Sequence, residues 1–249
     1  MNFLNDEIVY GKNPVVELLK SGKPVNKVLL IKESSGGRNQ EIISLLQERN
    51  ILYQFVDRQT LDRLANRERH QGILAYLAAR DYADVEDILA FAESRQEDPF
   101  ILMLDEIEDP HNLGALLRTV DAVSAHGVII PKRRSVALTG TVAKTSAGAV
   151  EHVKVARVSN LVQTLKDLKK IGCWVSGAEA SGKNVFEADL TGPRVIVIGS
   201  EGKGISRLLR ENCDELVSLP MKGKVSSLNA SVAGSIMLYE VLRQRVSAR

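Results

Sequence analysis

A chain of 249 residues with 44% hydrophobic and 26% charged residues has the make-up of a soluble globular protein, long enough for one large or two modest domains that each bury a core. No apolar run approaches the roughly 20 residues of a membrane-spanning helix, and the opening MNFLNDEIVYGKNP lacks the basic-then-apolar order of a secretory signal. A formal net charge of +2 permits a nucleic-acid partner without requiring one, and two cysteines without CxxC spacing, Cys173 and Cys213, fit a reducing cytoplasm better than a disulfide framework.

In chain order, residues 1–78 read as a small α/β unit. KVLLIK (27–32), LYQFV (52–56) and GILAYLA (72–78) are aliphatic, partly β-branched runs bounded by turn residues and read as strands, with a helix predicted over 39–48. Residues 79–99 are more polar, carry acidic clusters and end near Pro99. They read as the domain connection with a short helix over 85–93. From Phe100 onward, strands alternate with helices. The strands are FILMLD (100–105), GVIIP (127–131), VKVAR (153–157), CWVSGA (173–178), RVIVIGS (194–200) and LVSLP (216–220), and the helices cover 112–125, 160–171, 204–212 and 227–244. Such continuous aliphatic strands between amphipathic helices predict an α/β domain over 100–249 with a parallel sheet covered on both faces.

Three polar islands sit where a strand ends or a helix begins, the usual place for a ligand site in such folds. The first is Asn112-Leu113-Gly114-Ala115-Leu116-Leu117-Arg118-Thr119. Asn112 suits an N-cap, and Leu113, Leu116, Leu117 and Val120 form the core stripe. At about 100° per residue, Arg118 lies roughly 150° from the centre of that stripe, on the same side as Gly114. A glycine beneath an outward arginine suggests close approach by a ligand or a second subunit. The second island, Gly199-Ser200-Glu201-Gly202-Lys203-Gly204, has the glycine content that lets a ligand approach the main chain, with Glu201 as its one acid. The third, Ser226-Ser227-Leu228-Asn229-Ala230-Ser231, could cap an apolar helix or contact a substrate. Lys132 to Arg134, Lys203 with Arg207 and Arg210, and Lys222 with Lys224 form basic clusters that suit either a solvated surface or a nucleic acid.

Two alternatives fall away. Residues 177–184 nearly match a phosphate loop, but Asn184 stands where the Mg²⁺-binding Ser or Thr belongs and no helix follows. The four histidines and two cysteines form no metal-ligand spacing, so no metal is expected.

Taken together, Asn112-x-Gly114-x-x-x-Arg118-Thr119, Ile198-Gly199-Ser200-Glu201-Gly202 and Leu219-Pro220-Met221…Ser227-Leu228-Asn229-x-Ser231 resemble the three signature motifs of the SpoU (TrmH-type) RNA 2′-O-methyltransferases, over residues 100–245. Ala230 stands where that family usually has Val. Tyr10-Gly11-Lys12-Asn13-Pro14-Val15 and His70-Gln71-Gly72-Ile73 are similar to the N-terminal domain of the bacterial 23S rRNA guanosine-2′-O-methyltransferases of the family. The resemblance implies a deep trefoil knot in the C-terminal domain, an S-adenosylmethionine (AdoMet) cofactor, a homodimer and an RNA-binding N-terminal domain. By position it implies a cofactor site of Ile198, Gly199, Leu219, Met221 and Leu228. It likewise implies a catalytic and substrate-facing set of Asn112, Arg118, Glu201, Ser227 and Asn229, in which Arg118 stabilises the developing alkoxide or takes its proton, and Glu201 fixes the pocket across the dimer. A tRNA substrate, or a non-catalytic RNA-binding role in ribosome assembly, would fit the same fold. The binder would have no need of Glu201 or Asn229. A nucleotide-dependent oxidoreductase would need a glycine fingerprint after its first strand, which FILMLDEIEDPHNLG lacks.

Overall fold

The computed structural model describes residues 8–32, 39–65, 70–225 and 227–247. Two compact units emerge: residues 1–81 with 137–140, and residues 82–136 with 141–249. The opening segment and Ser226 lie outside the described residues.

The first unit is built from β1 (Ile8–Tyr10), α1 (Lys12–Lys20), β2 (Val25–Ile31), α2 (Gln40–Glu48), β3 (Tyr53–Val56), α3 (Arg58–Leu64) and β4 (Ile73–Leu77). Its sheet runs β1-β4-β2-β3, antiparallel except for the β2–β3 pair. The period-two alternation of β2 sends Val28 and Leu30 toward Val15, Leu19, Ile42 and Leu46 on one face, and Leu29 toward Leu61 and Leu74 on the other. The strands expected from sequence are present, whereas β1, α1 and α3 were not foreseen. The two N-terminal motifs meet: the Gln71 side chain accepts from the Lys12 N–H at 3.1 Å and the Gly11 N–H donates to the Ile73 carbonyl at 3.2 Å. The insert 137–140 completes the unit. Buried Asn26 donates through Nδ2 to the Leu77 and Leu138 carbonyls, at 2.8 and 3.1 Å, and the Ala79 N–H also binds the Leu138 carbonyl.

The second unit comprises α4 (Val85–Ser94), β5 (Phe100–Leu104), α5 (Pro110–Ala122), β6 (Gly127–Pro131), α6 (Gly140–Thr145), β7 (Val155–Val158), α7 (Leu161–Lys170), β8 (Trp174–Asn184), β9 (Arg194–Ile198), α8 (Arg207–Glu211), β10 (Glu215–Ser218) and α9 (Ala230–Ser247). Its six strands are all parallel in the order β10-β8-β9-β5-β6-β7, the doubly covered sheet that the sequence predicts. All five residues of β5 are buried. Ile101 and Met103 face Leu161, Leu165, Leu168 and Leu209, while the alternate residues face the side on which α5 and α9 pack. Residues 79–99, read from sequence as the connection, carry α4. Its Ile88 is fully buried in this core beside Ile101 and Met103, so from Tyr82 onward the stretch is part of the second unit. The near-match to a phosphate loop lies within the 11-residue strand β8.

His126 ties β5 to the turn before β6. Its Nδ1 accepts from the Phe100 N–H at 2.9 Å, its Nε2 lies 3.2 Å from Glu97, and its ring is 1% exposed. Burial holds this imidazole below the ordinary histidine range, with the Glu97 carboxylate opposing. Because the folded value is depressed, protons bind the unfolded chain more readily. His126 therefore favours the fold fully above about pH 6.5 and withdraws that support as pH falls. Thermal unfolding should show the midpoint dropping between about pH 7 and pH 5, with a shallower drop in His126→Asn.

Candidate active site

The three islands converge at the carboxyl ends of the central strands, where an open parallel sheet places its ligands. Asn112 is not the N-cap of α5. Asp109 takes that position, its carboxylate accepting from the His111 N–H at 2.8 Å, and Pro110 occupies the first turn, where no N–H is needed. Asn112 is thereby drawn into the first turn of the helix and buried. Its Nδ2 donates to Glu201 Oε1 at 2.7 Å, and its Oδ1 accepts from Asn229 Nδ2 at 3.0 Å.

Asn229 closes the arrangement. Its Nδ2 also donates to Glu201 Oε1 at 2.5 Å, so both amide hydrogens are used. Its Oδ1 accepts from the Ser231 N–H at 2.9 Å, from Ser231 Oγ at 2.6 Å and from the Val232 N–H at 3.3 Å, which is the capping arrangement for α9. The helix accordingly begins at Ala230, later than the hydroxyl run suggested. Glu201, expected to act across a dimer, is engaged within its own chain.

The loop bearing Glu201 is folded on itself. Ser200 and Gly204 exchange backbone hydrogen bonds of 3.1 and 2.9 Å. A Cβ on Gly199 would lie 2.0 Å from the Gly204 carbonyl carbon, so this glycine is required by the loop's own closure. Gly114 likewise meets its own chain: a Cβ there would lie 2.0 Å from Thr145 Oγ1. The close approach predicted at Gly114 is thus made by α6, not by a ligand or a second subunit.

Arg118 is exposed, as the helical projection predicts, and makes no hydrogen bond or ion pair among the described residues. Ser227 is also exposed. Met221, Val225 and Leu228 stand in the loop between β10 and α9 with 38%, 68% and 38% of their surface exposed, and Leu219 is half-buried. Ile198 is buried and its carbonyl accepts from the Asp105 N–H, so it forms wall rather than surface. Several of the basic residues are paired: Arg134 with Glu106 at 2.9 Å, Arg207 with Glu211 at 3.1 Å and Arg210 with Glu179 at 3.8 Å. Both cysteines are unpaired, and burial pushes the Cys213 thiol up to about 12, which leaves no thiolate nucleophile there. Among the described residues no group of three His, Cys, Asp or Glu could hold a metal ion, and no helix is long and apolar enough to cross a membrane.

Residues 99–239 match the SpoU rRNA Methylase family, and residues 8–83 match the RNA 2′-O ribose methyltransferase substrate-binding family. YacO of Bacillus subtilis, named for the TrmH family of tRNA/rRNA methyltransferases, is 50% identical over 240 residues, 96% of each chain. A Staphylococcus aureus protein named for the same family is 46% identical over 245 residues, 97% of this chain and 98% of its own. Among solved structures, the SpoU methyltransferase AviRb from Streptomyces viridochromogenes, in complex with the cofactor AdoMet, aligns with a TM-score of 0.61 at 27% identity over 96% of this chain and 90% of that one. A TrmH/SpoU tRNA-modifying enzyme of A. aeolicus aligns with a TM-score of 0.55 at 30% identity over 66% of this chain and 84% of its own. This chain belongs to the SpoU family of RNA methyltransferases.

The Asn229 amide has two separable duties. In Asn229→Asp the carboxylate still caps α9, but the two donors are lost and an acid faces Glu201. We expect both variants to unfold at a lower temperature than wild type. Asn229→Ala loses about 1 kcal/mol for the missing cap. Asn229→Asp keeps the cap but loses stability to the facing Glu201 carboxylate, a loss that shrinks as pH falls and the acids protonate. Transferase activity should fall in both variants.

Proposed function

We propose that this protein transfers a methyl group from AdoMet to the ribose 2′-OH of a guanosine in 23S rRNA. Membership of the family makes it an AdoMet-dependent RNA 2′-O-methyltransferase. The observation that carries the reading is the joining of all three motif islands through Asn112, Glu201 and Asn229, with Arg118 left free on the same helix.

The residues fit the donor. Apolar Met221 and Leu228 exposed on one loop, with half-buried Leu219 beside it, offer surface for an adenosine and a methionine chain. Gly199 shapes the facing loop and Ile198 its floor. AdoMet, when bound, supplies a methyl group activated by a cationic sulfonium. The chain must then align the ribose O2′ and offset the charge that develops as its proton leaves. Arg118 serves the second need as a fixed cation, since a guanidinium keeps its proton in proteins. Ser227, exposed beside Asn229, holds the ribose. Asn112, Glu201 and Asn229 are bonded to one another through the two amide nitrogens, Asn112 Oδ1 and Glu201 Oε1, and act by fixing the loops. The family fold implies a knotted C-terminal chain; here β10 lies at the sheet edge and α9 returns to pack on α5 and β9.

A substrate-binding unit over residues 8–83, separate from the methylase region, supports a large folded RNA such as ribosomal RNA; the cytoplasm is the proposed place of action. The 30% identity to a tRNA-modifying enzyme favours tRNA as the second reading. Incubating unmodified rRNA and tRNA with AdoMet and enzyme, then mapping 2′-O-methyl groups, should yield one guanosine in 23S rRNA. Methylation of tRNA alone would establish the second reading instead. Arg118→Ala should lower kcat by roughly 10²–10³-fold with AdoMet affinity unchanged, and near-full activity would remove Arg118 from the mechanism.

The site is completed by a homodimer. On α9, Val232, Ile236, Tyr239 and Val246 recur at helical spacing and are 46%, 37%, 53% and 64% exposed, an apolar face along a helix that packs against the Arg118 helix. Tyr239→Glu should convert a dimer into a monomer in sedimentation and depress methyl transfer with it. A monomeric wild type of full activity would contradict this.

A further inference from the structure

The loop that carries Glu201 is held at its tip by Asn112 and Asn229, and its root is held by a residue outside the three motifs. Asp105 follows the last residue of the central strand β5 and is 6% exposed. Its own N–H donates to the Ile198 carbonyl at 2.9 Å, extending the β5–β9 ladder by one bond. Its Oδ2 accepts from the Ser206 N–H at 2.7 Å, across the base of the glycine-rich loop. Asp105 makes no ion pair among the described residues, so this is a buried carboxylate whose charge is met by a backbone donor rather than by a cation.

Ser206 needs such a partner. It precedes α8, a helix of only five residues, and its own side chain makes no capping bond. The loop before it contains Gly202 and Gly204, both with positive φ, and is closed by the mutual Ser200–Gly204 bonds. That closure fixes the shape of the loop. It does not fix its direction relative to α5 and α9, where Glu201 must meet two amides.

We infer that Asp105 is a positioning residue for methyl transfer, its carboxylate anchoring the root of the 199–206 loop so that Glu201 reaches Asn112 and Asn229. The inference rests on the methyltransferase reading above and deepens it. Asp105 acts through the loop and need touch neither donor nor RNA. Any acceptor of similar reach serves, so Asn at this position keeps the strut while Ala removes it.

The test uses the full-length chain with Asp105→Ala, Asp105→Asn and Ser206→Pro. The proline variant deletes the donor from the other side, and the φ of −58° at Ser206 lies in proline's own range. Amide hydrogen exchange is measured first, without AdoMet or RNA. Exchange across 199–206 should quicken by about tenfold or more in Asp105→Ala and Ser206→Pro, with β6 unchanged and Asp105→Asn near wild type. In steady-state assays the Ala and Pro variants should lose roughly tenfold or more in kcat with little change in KM for RNA, and Asn should restore most of it. Exchange and kcat within about threefold of wild type in Asp105→Ala, or an Asn variant as impaired as Ala, would overturn the assignment. If Asp105→Ala fails to fold, Ser206→Pro and Asp105→Asn decide the matter. A wild type that transfers no methyl group at all would refute the proposed function, while the exchange result would still judge the strut.

Discussion

The site depends on one carboxylate oxygen shared by two side-chain amides. Glu201 Oε1 accepts from Asn112 and from Asn229, and those two are bonded to each other. Each belongs to a different part of the chain: the first turn of α5, the loop after β9 and the residue before α9. Although Glu201 is exposed, a carboxylate met by two N–H donors is held more tightly than a neutral acceptor would be. Because Asn229 also caps α9, one side chain links the start of the last helix to the glycine-rich loop.

The helices beneath this junction are brought together by missing side chains. A Cβ on Gly234 would lie 2.7 Å from Leu116 Cδ2, so α9 approaches α5 closely enough that a larger residue would have to push that leucine aside. Thr119 and Ser235 then share a hydrogen bond of 2.8 Å across the contact. Gly114 does the same on the other flank of α5, against Thr145. With its inner faces locked in this way, α5 has few ways to rotate, and Arg118 keeps its outward direction without any partner of its own.

Much of this was legible in the chain. Continuous aliphatic strands declared the parallel sheet, and the α5 stripe of Leu113, Leu116, Leu117 and Val120 fixed the outward side of Arg118. What periodicity could not supply was the choice of partner. Asn112 in front of a leucine stripe looks like a cap, yet Asp109-Pro110 starts the helix one turn earlier, because proline is content where an N–H would be unused. The glycines at 114 and 199 announced close approach correctly, but only the packed structure tells whether the neighbour is a ligand or the chain itself. The short elements β1, α3 and α6 have too few residues for a pattern to emerge, and their places are set by tertiary contacts. By contrast, α1 is as long as α2, and its Val15, Val16, Leu18 and Leu19 did carry a helical stripe. Asp105, at the end of an apolar strand, carried no signal except its charge.

Residues 137–140 leave the second unit, supply the Leu138 carbonyl to Asn26 and Ala79, and return at Thr141. A single cut at Asp81 therefore does not yield two whole folding units. The amino-terminal piece would lose an acceptor for a buried amide, and the remainder would carry an apolar leucine with nowhere to go. Replacing residues 8–83 by the matching stretch of another chain would thus strand Leu138 unless 137–140 were replaced with it.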